Sequence, residues 1–548
     1  MKPRHPYGAV AMWYVVLFAF LPSMRAQEVT APQHTGVPQD WSQRHIVFSR
    51  DALAQHPDLI YREHRILHQA IQRWQAPNSD VFRGVDPLPA QVNDSGHHRD
   101  WGVALGGRVS PEMFPAKFSF DPGLPPNCAT PPIPDYVVFG LAATGITGGR
   151  PNLVAFDNLY AGTGGLCGAA PTVLFAYNVT TATGGRIVTS PILSEDGKKI
   201  AFVESLGGSA IFHVLTWTAG QGTLAAAAVP TMTSLTFSSN ASSTTSSPWI
   251  DYGNDIVYLG ADKGQVYKIT GVFKGTPTLA GAPWPVTVSN NLHLTSPVLD
   301  NARNVLMVGS ANGNLYQIST ATGALATVPV GHGPGAGIVA APMVDIGNGT
   351  TFVVSANDGT SAVLVEFDTV SMVQLTKARI GQGSAGGTVL NLQEPAFSNN
   401  YFDNPSTGLI RLCGTGASDT TPWQYAFGFT GRTMQTSPSL SQQIPTNPAN
   451  STLARCTGWT EFFNPNIGHG FGTDFFFFGL TRDCTATGPA GGCVAELTGN
   501  STLTTATVNG GPSGIIIDNY STAAQASSIY FTAENLQTAY KFTQNGLQ

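Results

Sequence analysis

The sequence predicts an all-β fold, a single β-propeller of about eight four-stranded antiparallel blades, with seven blades as the alternative and a short helical segment ahead of them. Three observations predict this fold. First, a Ser-Pro or related dipeptide followed by a short apolar run recurs along the chain. Second, most intervals between these prolines are 43 to 57 residues long. Third, Gly, Asn and Asp separate short β-favouring segments. Repeats of this length are typical of propeller blades, whose small sheets bury their apolar faces only against neighbouring sheets.

Residues 295–323 show the repeating unit most completely. Ala-Asn-Gly-Asn at 311–314 predicts a tight turn, because Asn and Gly adopt positive φ at little cost. Asp300 ends the first strand and recurs as Asp251 and Asp345 in neighbouring units, where we interpret these residues as turn caps rather than as catalytic groups. The strands predicted for this unit from apolar runs and alternation are 296–300, 304–309, 315–319 and 325–330.

The unit recurs along most of the chain. Four segments predict the first blade: 115–121, 135–141, 151–156 and 172–178. Later blades are predicted to open at Pro191, Pro248, Pro297, Pro342, Pro395, Pro438 and Pro512. The long interval between the last two prolines predicts an insertion, and the Ala, Ser and Thr at 219–247 predict a mobile connection. We expect residues 102–106 to pair with 539–543, because closure by both chain ends removes an exposed sheet edge.

One repeat carries a family resemblance. Residues 309–323, GSANGNLYQISTATG, resemble the repeat of quinoprotein-like (PQQ-like) β-propellers, which runs roughly G-S-x-D-G-x-L-Y-A-L-D-x-x-T-G. Residues 260–269 share it and 355–368 share part of it, but the family's tryptophan is missing from 324–328. The resemblance implies the propeller fold and a non-catalytic or uncharacterised secreted member of that family. The fold is shared by dehydrogenases and scaffold proteins, so the resemblance implies no particular activity.

The composition and the N-terminus predict an exported protein. Charged residues make up 11% of the chain and its net charge is −6, so nucleic acid is not an expected partner. A charged start, an apolar run at 10–21 and the small Ala26 predict a signal peptide at 1–26. The apolar run is too short to span a bilayer, and we expect no transmembrane segment. We therefore predict a secreted, periplasmic or cell-surface protein with a helical and linker segment at 27–99 and a propeller at 100–548.

Six cysteines follow the signal peptide, and an even number in an exported chain indicates disulfides. Six cysteines allow fifteen pairings. Proximity along the sequence favours the pairs Cys128–Cys167, Cys413–Cys456 and Cys484–Cys493.

The N-terminal segment contains a possible metal site. Residues 58–75 predict one helix, with an apolar stripe formed by Ile60, Leu67, Ile71 and Trp74. His64 and His68 lie four residues apart on it, a spacing that places two imidazoles on one face as zinc sites do. The third ligand would be His56 or the pair His97 and His98. The alternative is that His64 is a partly buried packing residue.

A second group of candidate ligand-binding residues is predicted on one face of the propeller. Connections between blades share a face with connections between second and third strands, and this face usually carries the binding site. The residues predicted there are His293, His332, Asn312 and Asn357. The two asparagines are also expected as ordinary turn residues.

We predict a binding or scaffold module for protein or polysaccharide, with no catalysis, no cofactor and no assigned catalytic residue. The oligomeric state is left open. One alternative is a dehydrogenase with PQQ and calcium, although the adjacent cysteines of the large PQQ dehydrogenases are absent from this sequence. Another is a carbohydrate-active hydrolase or lyase, which would need two carboxylates within about 10 Å in a deep pocket.

Overall fold

The computed structural model describes residues 36–70, 72, 73, 97–120, 128, 134–181, 184–206, 208–239, 243–381, 392–416, 419, 421–446, 454–464, 472–484, 491–499, 502–508, 510–518, 525, 527–533 and 537–544. The signal peptide predicted at 1–26 lies outside this described part of the chain. Among the described residues, we find no helix with the length and hydropathy needed to cross a membrane.

The described strands form eight mainly antiparallel sheets, which are the blades of a β-propeller. The all-β fold and the eight-blade count are therefore confirmed, and the seven-blade alternative is wrong. One hydrophobic core continues through most of the ring. This continuity is expected for sheets that are too small to bury both of their faces alone.

The chain enters the propeller with residues 36–70, 72 and 73, which we call the axial segment. Its elements in chain order are β1 (Val37–Gln39), a 3-10 helix (Trp41–Arg44), β2 (Ile46–Val47), α1 (Arg50–Gln55), α2 (Leu59–Arg62) and α3 (His64–Ala70). The Ser49 side chain caps α1 by accepting a hydrogen bond from Ala52 N at 3.3 Å.

The single helix predicted at 58–75 is wrong. Glu63 has an extended backbone, with φ −125° and ψ 99°, and separates α2 from α3. Its carboxylate accepts a hydrogen bond from Arg65 N at 3.2 Å, which competes with the backbone bonding of a continuous helix. The break changes the buried face, because Arg65 and Ile66 are buried whereas Leu67, placed inside by the predicted stripe, is 38% exposed.

The first four blades follow β3 (His97–Ala104). Blade 1 contains β4 (Ala116–Ser119), β5 (Tyr136–Gly140), β6 (Leu153–Asp157) and β7 (Thr172–Tyr177). Blade 2 contains β8 (Arg186–Ile187), β9 (Ile192–Leu193), β10 (Lys199–Leu206), β11 (Ser209–Thr216) and β12 (Met232–Ser239). Blade 3 contains β13 (Trp249–Asp251), β14 (Ile256–Ala261), β15 (Gln265–Thr270), β16 (Thr278–Leu279) and β17 (Val286–Thr287). Blade 4 contains β18 (Val298–Asp300), β19 (Val305–Gly309), β20 (Asn314–Ser319) and β21 (Leu325–Pro329).

The second half of the ring continues this pattern. Blade 5 contains β22 (Met343–Asp345), β23 (Thr350–Ser355), β24 (Val363–Asp368) and β25 (Gln374–Arg379). Blade 6 contains β26 (Ala396–Phe397), α4 (Asn399–Asp403), a 3-10 helix (Pro405–Thr407), β27 (Leu409–Gly414), β28 (Trp423–Thr430), β29 (Thr433–Met434) and β30 (Leu440–Gln443). Blade 7 contains β31 (Thr460–Asn464), β32 (Thr473–Leu480), β33 (Cys493–Thr498) and β34 (Thr502–Thr507). Blade 8 contains β35 (Ile516–Asp518), β36 (Ser528–Ala533), β37 (Thr538–Gln544) and β3, which precedes blade 1 in the chain.

Two predicted boundaries are wrong. Pro438 does not open a blade, because the following β30 pairs with β28 as an outer strand of blade 6. The interval between Pro438 and Pro512, where an insertion was predicted, instead holds all four strands of blade 7, β31 to β34. Residues 219–247 are not a plain connection either, because β12 forms there and pairs along β11.

The two ends of the chain close the ring as predicted. β3 pairs antiparallel with β37, with Gly102 opposite Tyr540. Asp100 and Lys541 form a fully buried ion pair inside this closure. Lys117 of blade 1 forms a second buried pair with Asp518 of blade 8, with Nζ and Oδ2 2.7 Å apart.

The three predicted disulfides are confirmed as Cys128–Cys167, Cys413–Cys456 and Cys484–Cys493. The second connects β27 of blade 6 to the residues that precede blade 7. The third joins the two ends of the connection between β32 and β33. Such crosslinks stabilise a fold by lowering the conformational entropy of the unfolded chain. The second and third disulfides lie in the half of the ring where the repeats are least regular.

Candidate functional site

The axial segment lies at the centre of the ring, where the first strands of the blades meet. β13, β18 and β22 lie side by side there, and so do β26, β31, β35, β4 and β9. β1 pairs antiparallel with β4, with Val37 opposite Ser119, and lies beside β9 and β35. β2 pairs parallel with β22, with Ile46 opposite Val344. The segment thus adds a strand to the inner edges of blades 1 and 5 and contacts blades 2 and 8.

Polar side-chain contacts extend from the axial segment to the remaining blades. These contacts are Trp41 Nε1 to Pro248 O (3.0 Å, before blade 3), Asn301 Nδ2 of blade 4 to Arg62 O (3.0 Å), Arg44 to Glu394 (before blade 6) and Arg44 to Thr460 (blade 7). The axial segment therefore contacts all eight blades, so its own backbone and side chains fill the place where propellers often bind a ligand.

Arg65 is the most enclosed charge of this arrangement, with no exposed surface. Its guanidinium donates to Glu63 Oε1 at 2.8 Å, to Ser42 Oγ at 2.8 Å and to Ile250 O at 2.9 Å. It also lies 4.0 Å from the centre of the Trp249 ring. Because a buried guanidinium is tolerated only when it is paired and hydrogen-bonded, these contacts hold α3 against blade 3.

Arg73 anchors the other end of the segment. It forms a bidentate ion pair with Glu461 of blade 7, donates to Asn399 Oδ1 at 3.1 Å and stacks 3.6 Å from the centre of the Phe402 ring. Asp474 lies behind Glu461, and burial first, then the Glu461 charge, raises the pKa of Asp474 well above its usual range. The Asp474 carboxyl therefore favours its protonated form in the folded protein. Glu461 forms an ion pair with Arg73, and Asp474 accepts a hydrogen bond from Asn399 N. The two carboxyl groups therefore help to anchor the end of the axial segment to blades 6 and 7.

Two histidines are held neutral inside the segment. Burial lowers the pKa of His45 to about 4, against an opposing effect of the Glu394 charge. Burial and the nearby Arg65 charge lower the pKa of His68 to about 3. His45 Nδ1 lies 3.1 Å from Pro342 O, which makes it a hydrogen-bond donor to that carbonyl.

A cavity of about 70 Å³ remains between the axial segment and blades 5 to 8. One wall is polar and includes Asp40, Gln43, Arg44 and Arg73, and the other is formed by apolar residues such as Phe397 and Ile516. Within the described part of the chain, each of those four polar side chains has one atom without a hydrogen-bond partner. Buried groups of this kind are commonly satisfied by ordered water, and the cavity has room for a few molecules.

The predicted metal residues lie on α3 but have separate partners. His64 Nδ1 bonds to Glu195, just after β9, and its ring stacks on Tyr252. His68 is buried and its Nδ1 lies 3.5 Å from Gln43 Nε2. His56 is exposed and His98 pairs with Asp100 in β3. No three His, Cys, Asp or Glu side chains of the described residues come together as a metal-binding group, and metal binding by His64 and His68 stays a prediction.

The four predicted ligand residues lie on connections of blades 3 to 5. Ala311 N donates to His293 O at 2.9 Å and His332 N donates to Asn357 O at 2.8 Å, so each histidine connection lies against a turn between second and third strands. His293 is exposed and pairs with Asp262 at 2.9 Å. We call this surface the loop face and define it as residues 262, 293, 311–314, 332–339 and 357–361.

The two asparagines of the loop face are turn residues. Asn312 Oδ1 accepts from Ser310 Oγ and from Asn314 N. Asn357 is buried, donates to Pro334 O at 2.7 Å and accepts from Gly359 N at 2.7 Å. Asn357 therefore shapes the loop face from beneath, whereas His293, Asn312 and His332 remain exposed on it.

Sequence reasoning missed the axial residues as part of the site. The sequence feature that could have indicated them is a concentration of large aromatic and basic side chains in a segment without a regular hydrophobic period. These side chains include Trp41, Arg44, Phe48 and Arg65. Such residues are seldom buried without specific partners, and the partners lie in blades more than 180 residues away along the chain.

Comparison with known proteins finds no matching family model and no matching curated protein. Several solved structures are similar in shape. BamB from Moraxella catarrhalis has 13% identity and a TM-score of 0.43, with 82% of this chain and 98% of that chain covered. The Dos1 propeller has 10% identity and a TM-score of 0.48, with 82% and 95% covered. Sqt1 from Saccharomyces cerevisiae has 11% identity and a TM-score of 0.49, with 82% and 100% covered.

Proposed function

We propose that this chain is a secreted or cell-surface propeller, similar in its repeat to the PQQ-like group, that binds a protein on its loop face and catalyses no reaction there. The observation that carries the proposal is that the axial segment fills the centre of the ring. Because the axial segment contacts every blade, a partner has the outer surfaces available rather than the centre. The disulfides support an oxidising compartment, where such bonds persist.

The loop face suits a polar protein contact. Exposed His293 contacts the Asp262 carboxylate, and exposed His332 lies beside the Asp358–Lys377 ion pair, whose charged atoms are 2.6 Å apart. Val339, 42% exposed, adds an apolar side chain to the same surface. Mixed polar and apolar surfaces with charges of both signs are typical of non-obligate protein interfaces.

The proposal includes no cofactor. PQQ is a flat tricyclic tricarboxylate that would need open space on the axis, and among the described residues the axial segment occupies that space beside a cavity of about 70 Å³. All six cysteines are also paired in disulfides. The residues present therefore do not fit PQQ. The carboxyl pair Glu461 and Asp474 is engaged as an anchor, which weighs against the hydrolase alternative.

We expect replacement of His293, His332 and Val339 together by serine to weaken partner binding by about tenfold or more, equivalent to about 1.4 kcal/mol. These side chains are exposed, so the melting temperature should not change. The measurement is affinity capture from the exported fraction of the host, followed by a dissociation constant for the purified partner. A control variant carries Val370→Ser and Val373→Ser, which alter two exposed valines on the connection between β24 and β25.

The proposal fails if the triple variant binds the partner as the unchanged protein does, or if the control variant is the one that loses binding. Retention of a polysaccharide in place of a protein would also contradict it.

A further inference from the structure

Blade 2 contains an aligned Ser, His and Glu on three neighbouring strands. Ser234 of β12 lies opposite His213 of β11 in the sheet register. His213 Nδ1 lies 2.8 Å from Ser234 Oγ, and His213 Nε2 lies 2.9 Å from Glu204 Oε2 of β10. Such a chain of hydroxyl, imidazole and carboxylate is the geometric signature of an activated nucleophile, whatever the fold that presents it.

The surroundings of Glu204 set the tautomer of His213. Burial on its own raises the pKa of the Glu204 carboxyl, but hydrogen bonds from His213 and Thr181 outweigh burial and hold that pKa below its usual value. Thr181 donates to Glu204 through its backbone N at 2.9 Å and through its Oγ1 at 2.5 Å. An ionised Glu204 accepts the proton on His213 Nε2. In a neutral imidazole with its proton on Nε2, the other ring nitrogen, Nδ1, accepts from the Ser234 hydroxyl.

The three residues differ in exposure in the way that such a site requires. His213 and Glu204 have no exposed surface, which fixes the imidazole and excludes water from it. Ser234 is exposed on β12, the outermost strand of blade 2. A reagent can therefore reach the hydroxyl, and it approaches His213 Nδ1 only at the place where that hydroxyl lies.

The edge of β12 also offers backbone donors. β12 pairs only with β11 among the described strands. Because the N–H groups of a strand point alternately to its two edges, either the Ser234 N–H or those of both its neighbours face outward. An outward N–H beside the nucleophile is the type of group that stabilises an oxyanion.

We propose that Ser234 is a nucleophile for small carboxylic esters, with His213 as its general base and Glu204 as the positioning residue. Ser234 Oγ attacks the ester carbonyl carbon while its proton moves to His213 Nδ1. Collapse of the tetrahedral intermediate breaks the bond to the alcohol, which leaves with that proton. Water then attacks the acyl-serine by the same route and releases the acid. This site lies on the outer edge of blade 2, so it is independent of the loop face.

The test treats the full-length protein with a fluorophosphonate probe and with p-nitrophenyl acetate, and maps the modified peptide. We expect labelling of Ser234 and loss of that label in Ser234→Ala. The matched control is Thr236→Ala, which removes another exposed hydroxyl of β12 and should keep the label. His213→Gln should slow labelling by about 100-fold, the usual contribution of a general base.

The neighbouring hydroxyls of β12 keep the test decisive if His213→Gln does not fold. Thr233 and Thr236 are exposed beside Ser234 and should be labelled far more slowly in the unchanged protein. The proposal is overturned if Ser234 is not labelled, if Thr233 or Thr236 is labelled as fast as Ser234, or if folded His213→Gln is labelled at the unchanged rate.

Discussion

Replacing Arg65 by methionine should lower the free energy of unfolding by about 3 to 5 kcal/mol, the usual cost of breaking a buried ion pair. The change leaves the Glu63 carboxylate, 1% exposed, without the guanidinium that neutralises it. It also removes the donors to Ser42 Oγ and Ile250 O. The measurement is urea unfolding followed by the fluorescence of the nine tryptophans, among them Trp249 next to the guanidinium.

The matched control is Arg50→Met on the same segment. Arg50 pairs with Asp403 at 3.1 Å, and both side chains are about half exposed, at 53% and 42%. Exposed pairs contribute about 0 to 1 kcal/mol, so this variant should change the stability little. Adding Glu63→Gln to Arg65→Met should restore part of the loss, because it removes the unpaired buried charge. Equal effects of the two arginine variants would show that Arg65 is not enclosed as described.

Acidification from pH 7.5 to pH 5 should remove about 2 kcal/mol of stability for each of His45 and His68. Both folded-state pKa values, about 4 and about 3, lie below the unfolded value of about 6.5. The contribution of the two neutral imidazoles to the stability is therefore fully present above pH 6.5. It is lost as the pH falls through 6.5 toward those values, because the imidazoles bind protons in the unfolded chain but not in the folded one.

Buried carboxyl groups with raised pKa values, such as Asp474 and Asp40, act in the opposite direction over the same range. The histidine contribution is therefore measured as a difference. The stability gap between the unchanged protein and His45→Gln, or His68→Gln, should shrink by about 2 kcal/mol between pH 7.5 and pH 5. A gap that is the same at both pH values would mean that these imidazoles are exposed in the folded protein.

The repeats allowed the ring to be predicted because blade formation is local. Each strand of a unit such as 295–323 is marked by its own apolar pattern and its own turn residues, and the Asp300 cap recurs with it. Asp300 Oδ1 accepts from Arg303 N at 3.0 Å, as a turn cap does. Blade 7 was placed wrongly because no proline directly precedes its first strand, β31. Pro438, in contrast, has the repeat pattern but does not begin a blade.

The axial segment could not be predicted for the opposite reason. Its strands β1 and β2 are three and two residues long, too short to show a period. Their partners Ser119 and Val344 lie 82 and 298 residues further along the chain. The helix at 58–75 was predicted as continuous because the break depends on the Glu63 and Arg65 contacts with blades 3 and 4, which no local pattern reports.

The Ser234 site illustrates the same limit. Ser234 belongs to an Ala, Ser and Thr-rich stretch that resembles a connection, and its meaning depends on a strand register that brings it opposite His213. Neither residue has a motif around it. A group of side chains that three strands bring together can be recognised only when the register of those strands is known.

Amide hydrogen exchange of peptides that cover residues 37–48 tests the central claim most directly, namely that the chain fills its own axis. If it does, these amides will exchange as slowly as those of β23, Thr350–Ser355, which are also buried, and more slowly than those of the exposed outer strand β21, Leu325–Pro329. Complete exchange of residues 37–48 at the earliest time point, with β23 still protected, would show an open centre and contradict the account.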